Sequence, residues 1–90
     1  MERKKEQFPW VDPDKEGFLK KQGHLIKNWK KRWFALKGTK LYYLKTKEDK
    51  KALGEIELGD VWVKKVPTRL NCFQIECPEK IYLIQANSNQ

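Results

Sequence analysis

The sequence has few of the residues that most often carry catalysis or bind metals. Its 90 residues include two cysteines, one histidine and one methionine. The two thiols, Cys72 and Cys77, have no histidine or cysteine partners at a spacing that would make a zinc site or a disulfide framework. No Ser/His/Asp or Cys/His arrangement, glycine-rich phosphate loop or pair of carboxylates stands out. The sequence therefore predicts a protein that is not an enzyme and that uses no cofactor or metal.

Long hydrophobic runs are also missing. No run approaches the roughly 18 apolar residues that a membrane-spanning helix needs, so any membrane contact is expected to be peripheral. We find no signal peptide, and Cys72 opens an apolar run in which a small buried hydrophobe would fit. Free thiols without a signal peptide favour a reducing compartment, so we expect a cytoplasmic protein.

Charge is abundant and unevenly distributed. The net charge is +8, and charged residues make up 36% of the chain. Residues 15–37 hold eight Lys/Arg and one Asp/Glu, a net charge of +7, whereas residues 1–14 have −1 and residues 38–90 have +2. A positive field on one segment predicts an anionic partner, which could be a phospholipid headgroup, a nucleic acid or an acidic protein. The alternative is a lysine-rich surface that only maintains solubility.

Short alternating segments, spaced roughly every ten residues, predict one all-β domain shaped as a small sandwich or partly open barrel. Residues 16–90 form this domain, and residues 1–15, which are charged and hold two prolines, form a flexible lead-in from which Phe8 and Trp10 could dock. A tight turn is expected at residues 37–40, where Gly38 tolerates positive φ. The seven predicted strands are Glu16–Gln22, Trp29–Leu36, Leu41–Thr46, Gly54–Leu58, Val61–Val66, Cys72–Glu76 and Ile81–Ala86.

The alternation of side chains along a strand indicates which cations come together. Lys30 and Arg32 lie on the same face of the second strand as the apolar residues Phe34 and Leu36. Lys21 shares a face of the first strand with Leu19, and Tyr43 shares a face of the third strand with Leu41. Three cations in one place repel each other unless an anion lies between them, so this convergence predicts an anion-binding pocket at the barrel mouth. The aromatic residues fall at core positions, which argues against a single-stranded nucleic acid as partner.

Several segments resemble a pleckstrin-homology (PH) domain. Glu16–Gly23 (EGFLKKQG), Trp29–Leu36 (WKKRWFAL) and Leu41–Leu44 (LYYL) are similar to its first half, and residues 71–75 and 81–86 are similar to its sixth and seventh strands. The strongest likeness is to members that bind 3-phosphorylated inositol lipids, of the general receptor for phosphoinositides and dual adaptor type. The resemblance implies a seven-stranded partly open barrel of two orthogonal antiparallel sheets in an α+β family fold. It also implies a C-terminal capping helix, which would begin where this sequence stops, so we expect either that the sequence is truncated or that a second segment or chain supplies the helix.

The resemblance also implies roles for individual residues. Lys21 and Arg32 would bind the 3-phosphate region, Lys30 would reach the ring phosphates, and the Tyr43 hydroxyl would donate a hydrogen bond to a phosphate. Leu53 stands where a basic residue often precedes the fourth strand, so recognition of a 4- or 5-phosphate has no assigned residue. The additional candidates for the headgroup are Gly23, His24, Asn28, Lys50 and Lys51. The candidates for membrane contact are Leu25, Ile26 and Lys27, although Leu25 and Ile26 could equally fold back on the barrel.

The function implied by this resemblance is recruitment of a parent protein to the inner leaflet of the plasma membrane. The ligand would be a 3-phosphorylated phosphoinositide, PI(3,4,5)P3 or PI(3,4)P2, bound by a peripheral membrane module. The alternative is a PH-like interaction barrel whose basic rim binds an acidic protein and discriminates little between lipids.

Overall fold

The computed structural model describes residues 8–23 and 27–86, and across them the chain is built from strands, turns and loops without a helix. All seven predicted strands are confirmed, with ends within two residues of the predicted ones. The third strand ends at Leu44, two residues before its predicted end, because the Thr46 Oγ1 and N–H groups donate hydrogen bonds to the Asp49 carboxylate in a turn. The strands are β1 (Lys15–Gln22), β2 (Trp29–Lys37), β3 (Lys40–Leu44), β4 (Gly54–Glu57), β5 (Trp62–Lys65), β6 (Cys72–Glu76) and β7 (Ile81–Gln85).

The strands form one antiparallel sheet in the order β4-β3-β2-β1-β7-β6-β5. β1 pairs with β2 along its whole length but with β7 only at the Lys20–Gln85 and Lys21–Ile84 positions. This short contact joins the two expected sheets into a single one. β4 and β5 are its edges, so the barrel stays partly open, and the predicted all-β architecture is confirmed.

The core lies on the inner face of the curved sheet. Phe34, Ile56 and Ile84 are almost completely buried there, together with Ile75 and Tyr82. Their alternation with polar residues in the sequence and the strand register bring them to one face. Beyond this core, toward the Lys15 end of β1, the inner face opens into an apolar cavity of about 500 Å³.

Residues 8–14 pack on the outer face of the sheet. The Trp10 ring lies 5.7 Å from the Tyr42 ring, and Phe8 stacks on Trp10 at 5.1 Å. The Asp14 N–H donates to the Leu36 carbonyl at 2.7 Å. The two aromatic rings help to cover the outer side of the sheet at Tyr42, which is buried, and the backbone bond continues the β1–β2 pairing. The division into a flexible lead-in of residues 1–15 and a barrel of residues 16–90 stays a prediction, since residues 1–7 lie outside the described part.

Neither a membrane-spanning helix nor a metal-binding cluster occurs in the described part of the chain. No helix there is long and apolar enough to cross a bilayer. Residues 8–23 and 27–86 also contain no group of three or more His, Cys, Asp or Glu side chains that could hold a metal ion. Cys72 and Cys77 are free thiols, and Cys72 is buried, as predicted from the apolar run that it opens.

Candidate anion-binding site

The β1–β2 hairpin brings the predicted cations to the inner face. Lys21 is paired with Lys30, and Leu19 with Arg32, so all of these side chains leave the sheet on the same side as the core residue Phe34. Tyr43 is paired with Phe34 across β2 and β3 and therefore shares this face. The register thus agrees with the strand alternation read from the sequence.

Lys21 is the most constrained of the cations. Its Nζ atom lies 4.9 Å from the centroid of the Tyr43 ring and 5.4 Å from that of the Tyr82 ring. Burial lowers the pKa of Lys21, and the positive charges of Lys80 and Arg32 lower it further. Within the described ranges the ion pairs are Lys40–Glu55 and Lys64–Glu76, so no described carboxylate neutralises Lys21. The Lys21 ammonium is therefore partly desolvated and repelled by the charges of Lys80 and Arg32, and both effects favour the binding of an anion beside it.

Tyr43 is held in place by its neighbours. Its ring centroid lies 5.9 Å from that of Phe34 and 6.5 Å from that of Tyr82. The ring also lies directly over the backbone of Gly54, where a Cβ atom would come within 2.6 Å of the Tyr43 Cζ atom and closer still to the hydroxyl. Burial raises the pKa of Tyr43, so the hydroxyl keeps its proton at neutral pH. A fixed, protonated phenol can donate a hydrogen bond to a phosphate oxygen.

Arg32 and Lys30 lie at the margin of this cluster. Arg32 is half-buried, and its Nη1 atom donates to the Lys31 carbonyl at 3.1 Å. It is close enough to Lys21 to lower the pKa of that lysine. Lys30 is exposed on the same face. The structure therefore brings Lys21, Arg32 and Tyr43 together and leaves Lys30 at the solvent side.

The additional loop candidates are less closely tied to the cluster. The Gly23 N–H donates to the Asn28 carbonyl at 2.9 Å, which closes the β1–β2 loop and engages the Gly23 amide, one of the predicted ligand donors. Lys27 and Asn28 are exposed, as are Lys50 and Lys51 in the segment between β3 and β4. His24, Leu25 and Ile26 lie outside the described residues. The roles of all these residues stay predictions.

Lys80 belongs to the cluster, although it lies between the sixth and seventh predicted strands and no role was assigned to it from the sequence. Its Nζ atom lies 5.0 Å from the centroid of the Tyr82 ring, the same ring that Lys21 approaches. Its charge lowers the pKa of Lys21 and partly offsets the raised pKa of Tyr43. A signal for it was present in the sequence, because Lys80 has the same parity as the core residues Tyr82 and Ile84.

Comparison with known proteins identifies the family. The family model described as PH domain matches residues 13–90, and the chain belongs to this family. It is 43% identical over 83 residues to the serine/threonine-protein kinase pakC of Dictyostelium discoideum, a match that covers 88% of this chain and 17% of the relative. It is 40% identical over 81 residues to human cytohesin-2, with 86% and 20% covered. The chain thus spans a fifth or less of the length of these two relatives.

A solved structure gives the same result for the fold. The crystal structure of the C-terminal PH domain of pleckstrin in complex with D-myo-Ins(1,2,3,5,6)P5 matches with a TM-score of 0.74 and 37% sequence identity. The match covers 81% of this chain and 77% of that one.

Proposed function

We propose that this PH domain is a non-catalytic module that binds the phosphorylated inositol headgroup of a membrane phosphoinositide. Its preferred ligands are 3-phosphorylated lipids, PI(3,4,5)P3 or PI(3,4)P2, and binding recruits the parent protein to the inner leaflet of the plasma membrane. The observation that carries the proposal is the Lys21 ammonium, half-buried beside Arg32 and Tyr43 with no described carboxylate to neutralise it.

The chemistry of these side chains suits a phosphate ligand. An anion bound between Lys21 and Arg32 removes their mutual repulsion and compensates the partial desolvation of the lysine. The Arg32 guanidinium offers a planar fork that matches phosphate oxygens, and Lys21 supplies a compact charge. The Tyr43 hydroxyl adds a neutral donor. A cation cluster that only maintained solubility would have no need of a half-buried lysine.

The comparisons support the ligand class. The matched PH domain of pleckstrin was solved in complex with an inositol pentakisphosphate. That ligand belongs to the pleckstrin domain, and the likeness of that domain to this chain makes a soluble inositol polyphosphate a reasonable probe here. The preference for a 3-phosphate rests on the resemblance of the Lys21, Lys30 and Arg32 pattern to the 3-phosphoinositide-binding members.

The first test is the loss of one cation from the inner face. Arg32→Ala is expected to weaken binding to liposomes containing PI(3,4,5)P3 by at least about tenfold, which corresponds to ~1.4 kcal/mol, close to the lower end of the roughly 1.5–3 kcal/mol of one charge-assisted hydrogen bond. The matched control is Lys31→Ala, which removes the same charge one residue away on the outer face and should change the affinity by less than about threefold, the effect of an exposed charge. Sedimentation or surface plasmon resonance measures both.

The same assay distinguishes a pocket from diffuse attraction. Binding to phosphatidylserine liposomes of equal surface charge should be weak and should disappear as salt rises, because exposed charges are screened beyond about 10 Å at 0.1 M ionic strength. Unchanged affinity of a folded Arg32→Ala protein refutes the pocket. Equal losses in both variants favour a basic rim that binds acidic surfaces or acidic proteins with little lipid specificity.

A further inference from the structure

The outer face of the β1–β2 hairpin carries cations that the proposed headgroup site does not use. Lys20 and Lys31 are directly opposite each other in the ladder, and both are exposed. They alternate with Lys21 and Lys30, so their side chains leave the sheet on the side away from the core residue Phe34. Like charges that face each other across two strands repel, so this pair does not stabilise the hairpin.

Two aromatic rings lie next to this lysine pair on the same face. Phe18 is paired with Trp33, and their ring centroids are 4.7 Å apart in an edge-to-face arrangement. The Lys31 Nζ atom lies 4.4 Å from the centroid of the Phe18 ring, and the Nζ atom of Lys47, which follows β3, lies 5.3 Å from that of the Trp33 ring. We name Phe18, Lys20, Lys31, Trp33 and Lys47 the outer patch. The sequence alternation assigned the aromatic residues to the core, whereas these two rings lie on the outer face.

The charges of the outer patch are not neutralised within the described ranges. The ion pairs found there are Lys40–Glu55 and Lys64–Glu76, and neither includes a lysine of the patch. Glu16 is the one acidic side chain on the outer face of the two strands, and it lies beyond Phe18, at the end away from the lysine pair. The patch therefore combines three positive charges with an apolar side chain, Phe18, that is 38% exposed.

The contacts between the cations and the rings orient two of the lysines before a partner binds. An ammonium group over an aromatic face is attracted by the ring quadrupole, while its charge stays available to an anion. Lys31 and Lys47 are confined in this way. A side chain that is already confined loses less rotamer freedom on binding, which favours an interface here.

We infer that the outer patch is a docking surface for an acidic protein segment. Carboxylates of Asp or Glu in the partner bind Lys20, Lys31 and Lys47, and an apolar side chain of the partner packs against the exposed part of Phe18. The positive charge of the patch is complementary to such a segment, and aromatic residues are enriched in the cores of protein interfaces.

The geometry favours a protein over a nucleic acid. Single-stranded nucleic acids stack their bases on free aromatic faces, but here Lys31 lies over Phe18 and Lys47 over Trp33. The patch is also on the opposite side of the sheet from the headgroup cluster, so its partner does not compete for that cluster. A domain bound to a phosphoinositide can therefore bind this partner at the same time. A basic rim that binds either a lipid or an acidic protein does not allow this.

The test uses an array of short acidic peptides that all have the same negative charge and differ in their content of Leu and Phe. Affinity is expected to rise with this apolar content. Measured by fluorescence anisotropy, Lys20→Gln/Lys31→Gln should weaken the tightest peptide by at least about tenfold, since it removes two of the three cations. The matched control is Lys64→Gln/Lys65→Gln, which removes two exposed charges on β5 and should change the affinity by less than about threefold.

A second variant tests the apolar contact. Phe18→Ala should weaken the peptides that contain Leu or Phe by at least about threefold and leave a peptide without them within about twofold, because only the former can pack on the ring. Equal melting temperatures exclude misfolding as the cause. Equal binding of all peptides in the array, or equal losses in the two double variants, indicates diffuse attraction and overturns the docking surface.

The remaining outcomes separate this surface from the headgroup site. Saturation with soluble Ins(1,3,4,5)P4 should leave peptide affinity within about threefold at physiological salt, because charges more than about 8 Å apart are largely screened there. Displacement of the peptide by this inositol phosphate assigns the peptide to the inner face and overturns the outer patch. Tighter binding of oligothymidylate or phosphatidylserine vesicles, with the same dependence on Lys20 and Lys31, overturns the assignment to a protein. Failure of every peptide to bind refutes the inference and leaves the proposed function unaffected.

Discussion

Gly54→Ala tests whether the position of Tyr43 depends on the glycine beneath it. A Cβ atom at position 54 would come within 2.6 Å of the Tyr43 Cζ atom, well inside van der Waals contact, and closer still to the hydroxyl. Tyr43 is confined on other sides by Phe34, Tyr82 and the Lys21 ammonium. The ring can therefore make room only by disturbing these contacts. We expect both stability and headgroup affinity to fall, because the contacts that fix the Tyr43 ring and its hydroxyl are disturbed.

The magnitude follows from the cost of overpacking. An extra methyl group forced into a well-packed region costs about 1–3 kcal/mol. For a domain of this size, 1 kcal/mol shifts the melting temperature by roughly 4–8 °C, so a loss of at least about 4 °C should be seen by circular dichroism. Titration with an inositol polyphosphate should show a parallel loss of affinity, of about threefold or more, since a neutral hydrogen bond is worth about 1 kcal/mol.

Two controls isolate the contact. Gly17→Ala adds the same methyl group to another strand glycine, where the new Cβ atom would have no described heavy atom within 4 Å, so its effect should stay within about 0.5 kcal/mol. In a Tyr43→Ala background the clash has no partner, and Gly54→Ala should then cost little, as a double-mutant cycle measures. A Gly54→Ala protein as stable as the wild type, or an undiminished cost without the Tyr43 ring, would refute the reasoning.

Two further predictions concern the lead-in and the buried lysine. Trp10→Ala is expected to lower the free energy of unfolding by roughly 1–2 kcal/mol in urea denaturation, because it uncovers the Tyr42 ring, and to leave headgroup affinity unchanged; an unaltered midpoint would contradict this packing. Lys21→Met keeps the apolar stem but removes the charge, so the ligand-free protein should melt no lower than the wild type at pH 7, while headgroup affinity falls by at least about tenfold. A clearly lower melting temperature would show that the charge stabilises the fold.

The strands and the face of each candidate side chain could be predicted from the sequence because both depend on local alternation. Hydrophobic residues at every second position specify the strand and its buried side together, so Lys21, Arg32 and Tyr43 could be assigned to the core face before any strand pairing was known. The end of β3 could not be predicted from this alternation. Thr46 continues the alternating pattern, but its bonds to the Asp49 carboxylate end the strand at Leu44.

The contacts between distant strands could not be predicted in the same way. Alternation gives the face of a residue but not its neighbours across the sheet, so the closeness of Gly54 to Tyr43 required the β3–β4 register. The proximity of Lys80 to Lys21 likewise depends on the pairing of β1 with β7, which joins residues about sixty positions apart in the sequence. The sequence therefore indicated a cluster of cations and omitted one of its members.

The cost of burying Lys21 is the best physical reason to regard this cluster as a binding site. A lysine whose pKa is lowered in the folded state destabilises the fold at every pH below that pKa, and the penalty disappears only above its ordinary value of 10.5. At neutral pH, below the ordinary pKa of 10.5, the ligand-free protein therefore carries this penalty. A bound phosphate reverses it by stabilising the protonated form, so affinity should decline as pH rises through the lowered pKa of Lys21. The same residue thus weakens the empty domain and strengthens the occupied one, as expected of a ligand-binding side chain and not of a structural one.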